Sequence, residues 1–269
     1  MNTFAANLNA FYAVVRRDFH IYLSYRTRLV SQILTSIFSL TLFYYVSRLV
    51  RVEGFTTPDR YFGFVVVGIA LVGVLYSCFA VSETIRQELV AGTFERLLLS
   101  PFGGVRGAVA TAIFPLAYAF VLSSVTLGLG VAIFGLELHW PTVPLALPTL
   151  VLALLAFLPF GLIFTALTIA TKQANVGASW IIALLSIVGG LYFPIALLPG
   201  WAQLAAEVQP FTPATELLRH FLVDAPMETS VGVALLKIVG FAEVLVPLSL
   251  YALYHAIRFG QRRGTIIEY

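Results

Sequence analysis

Long apolar runs dominate the chain, and polar residues fall between these runs rather than alternating with apolar ones. Such runs predict membrane-spanning helices, because a spanning helix needs about 20 mostly apolar residues. Strands of a membrane barrel would instead alternate with period two over about ten residues. The pattern predicts six spans, at 29–50, 61–82, 107–135, 143–171, 174–193 and 236–257.

Residues 8–28, ahead of the first span, predict an amphipathic helix that lies in the membrane interface. Apolar residues such as Phe11, Val15 and Phe19 recur there at helical spacing. Two interpretations stay open: a simple anchor, or a surface helix that also contacts a cytoplasmic partner. The basic residues of this segment are Arg16, Arg17, Arg26 and Arg28.

Composition excludes an ordinary soluble domain. Hydrophobic residues make up 59% of the 269 residues, charged residues 11%, and the mean hydropathy is +0.93. Soluble proteins carry about 25% charged residues. The net charge of +3 is too small to indicate nucleic acid, and the single cysteine, Cys78, excludes an internal disulfide. We therefore expect an all-α integral membrane protein with one transmembrane domain over 1–269.

The Lys and Arg residues favour a topology with both termini in the cytoplasm, because basic residues accumulate in cytoplasmic loops. With six spans, this orientation puts most of them inside, including those of the tail at 258–269. Arg48, Arg51 and Arg60 would lie on the opposite side.

The loop at 83–102 is the most informative cytoplasmic segment. Polar residues are followed by Gly92 and Thr93, then by an apolar group that ends before Pro101. We expect Thr93 to cap a short helix and Pro101 to help end it. The alternative is an ordinary capped loop, but exposed Phe94, Leu97 and Leu98 would suit a groove on another protein.

Residues 194–222 predict a re-entrant hairpin of short helices that dips into the membrane from the outer face. Gly190, Pro194 and Pro199 interrupt helix formation, and Trp201 suits the headgroup level. Thr212 is expected to cap a further helix, with Pro213 in its first turn and Glu216 near its positive end.

These two segments, in this order among six spans, resemble those of the permease subunits of type-2 ABC exporters, and the resemblance covers essentially the whole chain. In the loop that resembles the coupling helix, Phe94 and Arg96 lie between the matching residues Glu88, Gly92, Thr93, Glu95, Leu97, Leu98, Ser100 and Pro101. The stretch that resembles the outer re-entrant region carries Gly190, Phe193, Pro194, Leu198, Pro199, Trp201, Pro210, Thr212, Pro213, Leu217 and Arg219.

The resemblance implies a division of labour between chains in a bacterial inner membrane. Two permeases would pair, as a homodimer, and each would dock one cytoplasmic ATPase that binds ATP and Mg. The sequence agrees, since a P-loop needs a Lys followed by Ser or Thr. The two lysines, Lys172 and Lys237, are followed by Gln173 and Ile238. We therefore expect a transporter subunit that binds no cofactor or metal itself and is not an enzyme.

The motifs resemble the drug and lipid branch of the family more than the polysaccharide branch. A sugar-polymer channel would be expected to show an aromatic belt along its pore. Aromatic residues that could form such a belt, or an ordinary interfacial girdle, are Phe38, Phe43, Tyr44, Tyr45, Phe62 and Phe64.

Two other classes stay open. A rhomboid-like intramembrane serine protease could use Ser179 as nucleophile and His255 as base, but it would leave the loop at 83–102 unexplained. A channel would not need that loop either. Glu243 lies inside the sixth span, where an acid is a functional hypothesis by default, although pairing with Lys237 would also explain it.

Overall fold

The computed structural model describes residues 3–24, 26–50, 55–171 and 177–263. Every regular element in these residues is helical, which confirms the all-α class. A short 3-10 turn lies at Ile195–Leu197, and the α-helices are α1 Thr3–Ser24, α2 Arg26–Leu49, α3 Pro58–Val90, α4 Thr93–Leu99, α5 Gly104–Phe134, α6 Val143–Thr171, α7 Ala178–Val188, α8 Gly200–Glu207, α9 Phe211–Val223 and α10 Val231–Arg263.

In the described part of the chain, five helices are long and apolar enough to cross a membrane: α2, α3, α5, α6 and α10. They correspond to the first four predicted spans and the sixth. Most of them extend beyond the predicted ends, and α3 continues as far as Val90, within the loop predicted at 83–102. The chain is therefore a multi-pass membrane protein.

The fifth predicted span, 174–193, corresponds to the much shorter α7, and its residues 174–176 lie outside the described part. The 11 residues of α7 rise about 16 Å, roughly half of the ~30 Å hydrocarbon thickness. Helix geometry ends at Val188, and Gly190 follows with φ of 70°. The 3-10 turn, α8 and α9 then occupy the segment for which short helices are predicted.

Helix α3 is the centre of the bundle and packs along α5 and α6, while α6 also packs along α10. A Cβ on Gly161 of α6 would lie 2.1 Å from the Cys78 carbonyl oxygen of α3, so only glycine permits this approach. Ser123 of α5 donates a hydrogen bond to the Ala70 carbonyl of α3, at 2.8 Å.

Helix α1, Thr3–Ser24, covers most of the helix predicted at 8–28, whereas residues 26–28 belong to α2. It packs on α5 through aromatic rings. Phe11 contacts Phe102 just before α5, and Tyr22 contacts Phe114 and Tyr118 with ring centroids 5.3 and 4.6 Å apart. Arg16 is exposed, and the side chains of Arg26 and Arg28 lie outside those described.

The two ends of the bundle are defined by α3. Its last turn leads into α4, and its first turns contact α9 through Phe64. We call these the α4 end and the α9 end. The 26 residues from Phe64 to Val90 separate them by about 40 Å along the helix.

Candidate coupling site and helical break

Helix α4 is a separate short helix between α3 and α5, and Gly92 is its N-cap. The expectation that Thr93 caps it is wrong. Gly92 adopts a left-handed conformation with φ of 66°, which turns the chain and makes Thr93 the first helical residue. The Thr93 hydroxyl instead donates to the Glu88 carbonyl at 3.2 Å. Glu88 lies in the last turn of α3, where backbone carbonyls have no N–H partner within the helix.

The apolar face of α4 points into its own protein. Phe94 is fully buried in a core cluster formed by α3, α5, α6 and α10, and Leu97 and Leu98 pack against the same cluster. The prediction that these three residues are exposed for a partner is therefore wrong for Phe94, while Leu97 and Leu98 are half-buried and pack inward. The sequence does not predict this burial, because the residues that cover Phe94 come from helices distant in the chain.

Two glycines in the first turn of α5 make room for the leucines. A Cβ on Gly107 would lie 2.0 Å from the Leu97 side chain, and one on Gly104 would lie 2.3 Å from Leu98. Gly104 also faces Ile257 near the end of α10. Helix α4 is thus seated against α5 and α10.

The surface that α4 leaves exposed is short and mixed in character. Leu99 is 87% exposed, which is unusual for a leucine next to a well-packed core. Ser100 is half-buried, and its hydroxyl donates to the Leu97 carbonyl at 2.7 Å. The outward surface, here called the α4 surface, consists of the exposed residues Gly92, Thr93, Arg96, Leu99 and Pro101 and the half-buried Glu95.

An ion pair ties α1 to the segment before α4. The Arg17 guanidinium contacts the Glu88 carboxylate at 2.5 Å and the Asp18 carboxylate at 2.8 Å. Burial raises the pKa of Asp18 above its ordinary value, while the charge of Arg17 opposes this shift. The sequence indicates Arg17 and Glu88 as separate candidates but does not predict that they pair, because 71 positions separate them. It does not indicate Asp18, the second partner of Arg17.

At the α9 end, Arg219 holds the broken helix after α7. It is 4% exposed, and its guanidinium donates to the carbonyls of Phe64, Gly190 and Leu191 at 2.9–3.0 Å. The guanidinium carbon also lies 3.3 Å from the centroid of the Phe64 ring. Arg219 therefore joins α9 to α3 and to the break.

The chemistry of the break explains why an arginine is needed. In a continuous helix, the Gly190 carbonyl would accept from the backbone N–H of residue 194, but Pro194 has none. Arg219 supplies the missing donor, and its planar fork bonds two successive carbonyls through one nitrogen. Gly68 of α3 leaves space for this contact, since a Cβ there would lie 3.1 Å from the guanidinium. Sequence reasoning missed Phe64 and Gly68 as partners.

The other residues of the predicted re-entrant region lie around this break. Phe193 and Trp201 are 49% and 66% exposed, and Pro199 is the N-cap of α8. Helix α9 starts at Phe211 with Pro210 as N-cap, so the expected capping by Thr212 is wrong. The Thr212 hydroxyl oxygen instead accepts a hydrogen bond from the Gln209 side chain at 3.3 Å. The buried Pro213 lies in the first turn of α9, as predicted.

The acids near this end have separate surroundings. Glu216 of α9 lines a cavity of about 370 Å³ together with Glu228 and Lys237. Glu243 is exposed on α10, and no ion pair links it to Lys237 among the described residues. The sequence-based pairing of Glu243 with Lys237 is therefore not observed.

The candidate aromatic belt does not line one face. Phe62 is buried, Phe64 lies against Arg219, and Tyr44 packs on Phe62, whereas Phe38 and Tyr45 are 71% and 60% exposed. Phe43 stacks on Tyr192 at 5.2 Å, beside the break.

Ser179 and His255 are both exposed, on α7 and α10. The described residues show no hydrogen bond between them, and the His255 ring contacts Tyr251 and Tyr254 instead. A serine nucleophile needs its base within hydrogen-bond reach. The geometry gives no support to a protease.

Comparison with known proteins agrees with this arrangement of helices. The model of the family described as ABC-2 type transporter matches residues 9–223, which include most of α1, the α4 surface and the break with Arg219. No curated protein sequence matches the chain. Since the family match covers most of its length, the chain belongs to the ABC-2 type transporter family and is a membrane permease of an ABC transporter.

Proposed function

We propose that the chain is the permease subunit of an ATP-driven exporter and moves a hydrophobic or amphipathic substrate, such as a drug, lipid or glycolipid, outward. A separate ABC ATPase hydrolyses ATP and docks on the α4 surface from the cytoplasm. The observation that carries the proposal is the packing of α4. Its inner face is packed against the core, whereas Arg96 and Leu99 project outward.

This packing would allow α4 to transmit a force from the ATPase to the membrane helices. Phe94, Leu97 and Leu98 pack where α3, α5, α6 and α10 converge, so a push on α4 acts on four long helices at once. The Arg17–Glu88 ion pair extends the same contact to α1. A surface loop with no core contacts would absorb such a push instead of transmitting it.

The distribution of charge supports a cytoplasmic α4 end. Among the described residues, arginines are more frequent there than at the α9 end, where Arg48, Arg60 and Arg219 lie. Basic residues near membrane helices favour the cytoplasmic side. The arginines at the α4 end are Arg16, Arg17, Arg86, Arg96, Arg106, Arg258, Arg262 and Arg263.

The short α7 supports pairing with a second permease. Non-helical backbone at membrane depth must be covered by protein or line a water-filled cavity. Arg219 covers the break on one side, but Phe193 and Leu197 are about half exposed on the other. A second copy of this chain, packed beside α7, would cover that side and form the outward path between the subunits.

The scattered aromatic side chains favour a drug or lipid substrate over the alternative, a polysaccharide. A sugar polymer sliding through a pore would need rings in a row, and only Phe38 and Tyr45 among the six candidates are strongly exposed.

The test is purification of the tagged chain from its native membrane in mild detergent, with mass spectrometry of the proteins that accompany it. We expect a P-loop ATPase in a roughly one-to-one ratio. Leu99→Glu should remove it, whereas Leu49→Glu, at an 83% exposed leucine of the α9 end, should keep it. If wild type carries no ATPase in several mild detergents, the proposal is wrong.

A further inference from the structure

A cleft of about 810 Å³ lies beside α4, and neither α4 docking nor the break accounts for it. It is lined by α1, the start of α2, the end of α3 and the first half of α5, and it shares Thr93 with the α4 surface. Ile21, Thr27 and Ser31 on its rim are exposed, so the cleft opens at the surface of the protein. Its described lining divides into a polar wall and an aromatic wall.

The polar wall carries two carboxylates for one guanidinium. Asp18 and Glu88 both bond to Arg17, and their side chains are only 11% and 12% exposed. One negative charge therefore stays uncompensated among the described lining residues, in a site where water screens it poorly. A cationic group entering the cleft would be attracted to this pair.

The aromatic wall is formed by Tyr22 and Phe114, whose ring centroids lie 5.3 Å apart. Aromatic faces attract ammonium groups within about 6 Å of a ring centroid, and the attraction grows as water is excluded. Pro115 has no N–H, so the Thr111 carbonyl one turn earlier lacks its helical donor and is a further hydrogen-bond acceptor. Both residues line the cleft.

Carboxylates and aromatic rings facing one space are the groups that recognise an ammonium ion. The apolar Ile21 at the rim is 52% exposed and leads to the surface of α1. We propose that this cleft binds a cationic amphiphile, with its ammonium head between the two walls and its apolar tail along Ile21. The proposal rests on the proposed function in one respect: the amphiphile would be a substrate that reaches the permease from the inner leaflet.

Binding can be measured without the ATPase. The full chain is held in dodecyl maltoside micelles, whose uncharged head group does not compete for an ammonium site, and is titrated with dodecyltrimethylammonium that carries a dansyl label at its tail end. A dodecanoate with the same label serves as the anionic comparison, and empty micelles measure partition into detergent. We expect saturable binding of the ammonium probe above partition into micelles, and none of the dodecanoate.

Two variants test the location by different routes. Ser31→Phe should block the cleft, and Asp18→Asn should weaken binding at least about tenfold. Thr35→Phe is the matched control, since Thr35 is exposed one turn further along α2 and does not line the cleft. It should bind the probe as wild type does.

Equal binding of both probes, or binding unchanged in Ser31→Phe and Asp18→Asn, would overturn the site. Selective binding of the dodecanoate would overturn its charge preference. Co-purification of the ATPase from the native membrane tests the proposed function separately. A chain that binds the ammonium probe but carries no ATPase would keep the site and refute the exporter.

Discussion

Arg219 is the residue on which the α9 end of the molecule depends. Its guanidinium bonds three carbonyls, two of which lost their helical donors where α7 breaks at Gly190 and Pro194. The sequence predicted the break from its glycines and prolines, since their effect on the backbone is local. It did not predict that Arg219 satisfies the carbonyls, because Arg219 lies 29 and 28 positions from Gly190 and Leu191 and 155 positions from Phe64.

Substitution of Arg219 should therefore destabilise the protein even when the positive charge is kept. Arg219→Lys loses the planar fork and leaves at least one carbonyl unsatisfied, which costs about 1–3 kcal/mol. We expect a lower Tm in detergent, with Arg262→Lys, at an exposed arginine, unchanged. Equal Tm values for the two variants would show that the three hydrogen bonds contribute nothing measurable.

Helix α4 shows where element-level prediction succeeds and fails. Its existence follows from Gly92 and Pro101, which delimit a short helix. The prediction of its exposed face was wrong because burial of Phe94 depends on α10, whose contacting residues lie about 160 positions later in the chain. The caps at Thr93 and Thr212 were wrong for a related reason. The helices start earlier than predicted: the N-cap is Gly92, one residue before Thr93, in α4 and Pro210, two residues before Thr212, in α9.

A pair of glycines on α5 tests how α4 is seated. Gly107→Ala places a Cβ 2.0 Å from Leu97, whereas Gly128→Ala meets nothing within 4 Å. Both substitutions gain about 0.8–1.0 kcal/mol of helix propensity, so their difference reports the contact with Leu97. We expect Gly128→Ala to leave Tm and substrate-stimulated ATP hydrolysis at or above wild type, and Gly107→Ala to lower both.

Retention of wild-type ATP hydrolysis and stability in Gly107→Ala would contradict the seating of α4. It would mean that Leu97 can move aside without disturbing the surface that the ATPase is proposed to contact.

At the scale of the whole molecule, α3 connects the two candidate regions. It carries Phe64 against Arg219 near one end and leads into α4 at the other, about 40 Å away. The five long helices were predictable because each apolar run is continuous in sequence. The fifth predicted span was not reproduced at full length, since α7 ends where Gly190 and Pro194 prevent further helix. A rigid α3 would allow movement of α4 to reach the break.

An ABC ATPase that docks on the α4 surface should lie within reach of a photo-crosslinking amino acid at position 99. Leu99 is 87% exposed on this surface, and Leu49, at the α9 end, is 83% exposed and serves as the control. After irradiation of intact membranes, we predict an adduct between position 99 and a P-loop ATPase, and none from position 49. No ATPase adduct at position 99, or equal adducts at both positions, would show that the ATPase does not dock on the α4 surface.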